Sequence, residues 1–183
     1  MTNLDARPVA LVGMMGAGKS AVARALGERL GSSVADLDKM VEAQQGCRVA
    51  ELFEREGEAA FRRQEGRVLR QVLDAGAGII ACGGGIVLDA DHRRLLVERC
   101  RVVWLEVSPG EAARRLTGAE GSRPLLAGAA VGPAADPAGR LEALLAERRS
   151  LYEEVAQIRV AVEGRTVDEV ADEVLEALGK CAG

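Results

Sequence analysis

The stretch Gly13-Met14-Met15-Gly16-Ala17-Gly18-Lys19-Ser20, preceded by the apolar run Pro8-Val9-Ala10-Leu11-Val12, constrains this chain more than any other feature. It satisfies the pattern G-x-x-x-x-G-K-[ST], with a strand-like run before it and a helical pattern after it. Glycines at this spacing let backbone N–H groups turn inward on phosphate oxygens, and the N-terminus of the following helix adds positive potential. Lys19 is then the cation for the β- and γ-phosphates, and Ser20 the hydroxyl for Mg²⁺. The motif points to a nucleoside triphosphate and leaves open where its phosphate goes.

The rest of the chain alternates strand and helix. Pro8–Val12 reads as a buried parallel strand. Residues 19–30 read as a helix with Val22, Leu26 and Leu30 on one face and Gly31 as its stop. Ser33–Asp38 is a second short strand ending in carboxylates, and residues 39–75 are mostly helical, broken near Gly46 and Gly57. Gly78–Cys82 and Arg101–Val107 are further strands, with a helix over 90–98 between them and another from 110 to 117. From Gly118 to Gly139 the composition shifts to Gly, Ala and Pro, as in a loop or lid. A charged helix over 140–156, a fifth strand over Gln157–Val162 and a closing helix over 166–179 complete the pattern. This order predicts a three-layer α/β/α fold, a five-stranded parallel sheet covered on both faces. Such sheets bind ligands at the carboxyl ends of their strands.

Composition removes several classes of function. Aromatics are 2% of the chain and the net charge is −4, which disfavours base stacking and a nucleic-acid surface. Cys47, Cys82, Cys100 and Cys181 show no C-x-x-C spacing and have one histidine to help them, so zinc and a disulfide framework are disfavoured. No apolar run approaches the roughly 18 residues of a membrane span. The N-terminal MTNLDARPVALVG lacks a cationic region before its apolar run, so a cytoplasmic protein is expected. His92, Trp104 and the cysteines read as ordinary surface or core residues.

Several stretches outside the phosphate loop carry chemistry. If the second strand runs to Asp38, alternation puts Asp36 and Asp38 on one side of it, one step apart. Near phosphates, one can serve Mg²⁺ and the other hold or deprotonate a hydroxyl; alone, such a pair can simply cap the next helix. Arg62 lies three residues before Glu65 and four after Glu58, so on a helix carboxylates hold it as a preorganised fork for a substrate carboxylate. Gly83-Gly84-Gly85 offers backbone without side chains, open to close approach by a ligand. Arg123, in Arg123-Pro124-Leu125-Leu126 on the loose segment, can swing over a transferring phosphoryl group. Arg148, in Glu147-Arg148-Arg149-Ser150-Leu151-Tyr152, adds a further guanidinium.

Taken in order, Gly13–Ser20, Asp36-x-Asp38, Gly57-Glu58-x-x-Phe61-Arg62-x-x-Glu65, Gly83-Gly84-Gly85, Arg123-Pro124-Leu125-Leu126 and Arg148-x-x-Leu151-Tyr152 resemble the motif set of the shikimate kinases, over nearly the whole chain. The resemblance implies a small P-loop kinase of the nucleoside-monophosphate-kinase type with a mobile lid, acting in aromatic amino acid (chorismate) biosynthesis. The implied reaction moves the γ-phosphoryl of MgATP to the 3-hydroxyl of shikimate. Asp38, Arg62, Gly84 and Arg148 then look like the shikimate site, with Asp38 on the ring hydroxyls and the two arginines on the carboxylate. Glu65 looks like the residue that orients the site, supported by Gly83 and Gly85. Ser20 and Asp36 look like the magnesium residues, and Lys19 and Arg123 like the phosphate stabilisers. ATP would rest on Gly13, Gly16, Ala17, Gly18, Lys19, Ser20 and Ala21, with Arg115, or alternatively Arg114, against adenine.

The implied organisation is one domain over 1–183. Its core covers about 8–35, 76–110 and 140–180, its substrate-binding helical region about 36–63 and its lid about 116–139. A monomer using shikimate and ATP, and binding neither nucleic acid nor membrane, is expected. A gluconate or nucleoside-monophosphate kinase on the same fold is the nearest alternative. Cys82 stands where members of the family often carry a hydroxyl residue.

Overall fold

The computed structural model describes residues 7–117 and 137–180. Its centre is a sheet of five parallel strands: β1 (Val9–Val12), β2 (Val34–Asp36), β3 (Ile79–Ala81), β4 (Arg101–Glu106) and β5 (Ile158–Ala161), in the order β2-β3-β1-β4-β5. All four residues of β1 are buried, which is why its sequence is continuously apolar rather than alternating. Among the described residues seven α-helices flank the sheet: α1 (Lys19–Leu30), α2 (Leu37–Gln45), α3 (Val49–Asp74), α4 (Ala90–Arg99), α5 (Pro109–Thr117), α6 (Pro137–Val155) and α7 (Val167–Lys180). Helix α1 packs with α7, while α4 packs with α3 and α6. The expected three-layer α/β/α architecture is the observed one. Among the described residues no helix is long and apolar enough to cross a membrane.

Register decides what meets at the carboxyl edge. Leu11 pairs with Ala81 on one side and Val103 on the other, and Ala81 pairs in turn with Asp36. The loop after β1, the glycine turn after β3 and Asp36 therefore emerge side by side, although they are distant along the chain.

Two boundaries differ from the sequence reading. The second strand stops at Asp36 instead of Asp38, because the Asp36 carboxylate accepts a hydrogen bond from the Lys39 amide and starts α2 at once. The break expected near Gly57 is present as a kink in α3, where φ is 79° and ψ is 171°. Helix α6 begins at Pro137, a residue type well suited to the first helical turn, rather than at 140. Most of the expected lid, including Arg123, lies outside the described residues.

Candidate active site

The phosphate loop is built as its glycines require. Gly13, Gly16 and Gly18 have φ values of 138°, 82° and 83°. Gly18 caps α1 in a left-handed conformation with no side chain closing the helix end, so the first amides of α1 are left to a ligand. Lys19 is only 7% exposed. Its Nζ donates to the carbonyls of Gly13 at 2.7 Å and Met14 at 2.8 Å, which holds the cation over the loop. Ser20 follows in the first turn of α1 and lines one cleft of about 720 Å³ together with Asp36.

Asp38 does not share a strand face with Asp36. It sits in the first turn of α2, so helical rather than strand geometry sets its direction. The outcome still serves a site, because Asp38 Oδ1 lies 2.7 Å from where a Cβ on Gly83 would stand. Glu65 Oε1 lies 2.6 Å from that same point. Any side chain at residue 83 would displace both carboxylates, and glycine is what admits them against the backbone.

Glu65 in turn organises Arg62. Arg62 Nη1 donates to Glu65 Oε2 at 2.7 Å and Nη2 to Glu58 Oε1 at 3.0 Å, the two-carboxylate fork that the helical spacing anticipates. Glu58 is half-exposed, so that bond is worth little alone. Glu65 is fully buried, and burial pushes its pKa up to about 7. Arg62 pulls in the opposite direction, and the negative charges of Asp38 and Asp89 add to the rise. Arg62 also touches the glycine turn: a Cβ on Gly85 would stand 2.1 Å from its Nη2.

The third glycine faces the phosphate loop and α6. A Cβ on Gly84 would be 3.3 Å from the Met15 amide nitrogen. The Gly84 carbonyl accepts from Tyr152 Oη at 2.5 Å and from Arg148 Nη1 at 3.5 Å. Arg148 is 3% exposed although it is a full cation, and its Nε, like that of Arg62, has no hydrogen-bond partner among the described residues. Buried guanidiniums with donors to spare suit an anion better than water.

Arg115 rather than Arg114 reaches the glycine loop. Its Nη1 donates to Gly16 O at 3.3 Å and its Nη2 to Val162 O at 3.0 Å. Arg114 is 75% exposed and turned to Glu111. Cys82, before the glycine turn, is buried, and burial drives its thiol well above the ordinary range, so it acts as a small apolar residue here.

Two residues of this region escape sequence reasoning. His92 belongs to the core, 3% exposed, with Nδ1 3.9 Å from Glu65 Oε2. Burial holds its pKa below the usual value. A lone histidine seven residues after Gly85 carries no periodic or motif signal. Tyr152 belongs to a motif, yet its bond to Gly84 is visible only in three dimensions.

The structure thus brings Asp38, Arg62, Glu65, Gly83–Gly85 and Arg148 around one turn beside the loop of Lys19 and Ser20. A family model described as shikimate kinase matches residues 15–179. A shikimate kinase of Streptomyces coelicolor is 43% identical over 96% of this chain and 97% of its own, and one of Symbiobacterium thermophilum is 41% identical over 93% and 95%. The solved shikimate kinase from Acinetobacter baumannii, in complex with shikimate, superposes with a TM-score of 0.88 at 32% identity, covering 97% of this chain and 96% of that one.

Proposed function

This chain belongs to the shikimate kinase family, and on that basis we propose that its cleft transfers the γ-phosphoryl group of ATP to the 3-hydroxyl of shikimate. The products are shikimate 3-phosphate and ADP. The chain is an ATP-dependent kinase. The observation that carries the choice of acceptor is the meeting of two guanidiniums, Arg62 and Arg148, with the Asp38 carboxylate around a glycine turn beside the phosphate loop. Shikimate is a small anion with several hydroxyls. Its carboxylate suits the arginine pair, and its hydroxyls suit Asp38 and the Gly84 backbone.

In this reading the residues divide the work by position. The amides of Gly13 to Ala21 cradle the phosphates, and Arg115 borders the adenine end. Lys19 exchanges its loop carbonyls for phosphate oxygens and offsets charge that grows between the β- and γ-phosphates as their bridging bond breaks. Asp38 accepts the hydrogen bond of the 3-hydroxyl and takes its proton as the oxygen–phosphorus bond forms. Glu65 holds the Arg62 fork in place. Ser20 and Asp36, a hydroxyl and a carboxylate on one cleft, are oxygen donors of the kind Mg²⁺ accepts alongside phosphate and water. When bound there, Mg²⁺ neutralises phosphate charge.

Residues 36–63 would carry the acceptor; Arg123, the expected phosphate stabiliser, lies outside the described residues. The expected setting is a monomer in the cytoplasm, with which the free thiols of Cys47, Cys82 and Cys100 agree.

The test is ADP release from MgATP, coupled to a detectable reaction, with shikimate, gluconate, AMP or no acceptor. Release with shikimate alone is expected. Release with gluconate or AMP instead would keep the fold and replace the acceptor.

Glu65 makes the acceptor site respond to pH. Above about 7 its carboxylate is charged and holds Arg62; below that value it is neutral and releases it. The KM for shikimate should therefore rise as pH falls through about 7, and a Glu65→Gln protein should lack this step. Stability runs the other way, because the pKa is raised in the folded state from 4.5 to about 7. The stabilisation is complete below the lower value and is lost as pH climbs to the upper one. Melting temperatures of the parent relative to Glu65→Gln should fall across that window. A constant difference would show that Glu65 is already ionised throughout.

A further inference from the structure

The geometry points to Tyr152 as a positioning residue of the acceptor site, one that shares the Gly84 carbonyl with Arg148, hydrogen-bonds that guanidinium and so fixes its direction for the substrate carboxylate. This rests on the reading of Arg148 and Gly84 as acceptor residues. Tyr152 follows Arg148 by four residues on α6, so the two side chains leave the same face of the helix one turn apart. Both point at a single acceptor, the Gly84 carbonyl. The phenol holds it at 2.5 Å, whereas Arg148 Nη1 stands at 3.5 Å, the outer limit of a hydrogen bond.

The hydroxyl is not needed to fill space. The Tyr152 ring is fully buried and stacks on Trp104, with ring centroids 5.6 Å apart and an interplanar angle of 22°. Phenylalanine would keep this contact. What it would remove is the short bond to Gly84. That carbonyl belongs to a residue with no side chain of its own, wedged against the Met15 amide of the phosphate loop. Without the phenol, that carbonyl keeps only its long contact with Arg148, and the guanidinium, having lost its bond to the hydroxyl, closes on Gly84. A guanidinium committed to Gly84 is a poorer fork for a carboxylate. Burial raises the Tyr152 hydroxyl to about 12, against the opposing charge of Arg148 and a hydrogen bond with its guanidinium, so it remains a donor at any working pH. Its effect is therefore independent of the Glu65 titration.

The experiment compares the parent, Tyr152→Phe, Arg148→Ala and the double variant in steady-state kinetics with shikimate and ATP, together with melting temperature. In Tyr152→Phe the KM for shikimate should rise about five- to tenfold, the effect of one ordinary hydrogen bond. The KM for ATP and the melting temperature should stay near parental values. In the Arg148→Ala background the same substitution should add little, because it acts through the arginine. An unchanged KM for shikimate, full additivity in the double variant, or a parallel loss of ATP binding and thermal stability would each overturn the assignment. A parent that turns over no shikimate would instead overturn the acceptor reading on which it rests.

Discussion

A Lys19→Ala protein should fold, melt close to the parental temperature and transfer phosphoryl groups at no more than about a thousandth of the parental rate. The reason lies in where the cation sits. Lys19 Nζ is held by the Gly13 and Met14 carbonyls directly over the loop, on a stem that is 7% exposed. Arg115 is engaged at the far side of the loop with Gly16 and Val162. The alanine variant leaves the glycine conformations and the helix N-terminus intact, so ATP can still bind through backbone amides. What is lost is the charge that follows the electrons as the bridging oxygen departs. The coupled ADP assay and a thermal melt check the two halves of this expectation. Retained turnover would refute the assignment of the loop.

Arg62→Ala should damage use of the acceptor rather than of the nucleotide. Removing one partner of a buried charge pair costs roughly 2 to 5 kcal/mol, so kcat/KM for shikimate should fall about 30-fold to about 4000-fold. The KM for ATP should change little, because Arg62 touches the glycine turn and not the phosphate loop. The substitution also strands Glu65, which is 0% exposed and would keep its proton to still higher pH. Arg62→Lys separates charge from shape. It keeps the cation but loses the planar fork, and should recover only part of the activity. Unchanged shikimate kinetics in Arg62→Ala would remove this residue from the acceptor site.

These expectations show which parts of the molecule are legible in one dimension. The phosphate loop is local. Its eight residues, the strand before and the helix after are contiguous, so their spacing alone states their structure. The Glu58–Arg62–Glu65 fork is legible for the same reason, because residues three and four apart on a helix share a face whatever surrounds them. The second carboxylate pair was harder. The residues were recognisable, but their geometry depended on where β2 ends. That boundary was set by a competition between one more strand residue and an Asp36 cap on α2, which the cap won. Asp38 therefore reaches the glycine turn from a helix.

What the linear sequence determined is the fold class, the element order and the chemical types of the site: a phosphate loop, paired carboxylates, arginines and a glycine turn. Each follows from local spacing or from the period of apolar residues. Only the tertiary structure decided the pairings between distant segments. The register of β1, β2 and β3 set Asp36, the phosphate loop and the glycine turn side by side. The packing of α3 sealed Glu65 from water and raised its pKa to about 7. Tertiary packing also drew His92 into the core beside Glu65, left Arg115 rather than Arg114 at the loop, and laid Tyr152 on the Gly84 carbonyl. Burial and long-range contact are properties of the assembled layers. A residue's neighbours along the chain constrain its conformation, but the solvent it loses and the charges it meets come from segments folded onto it.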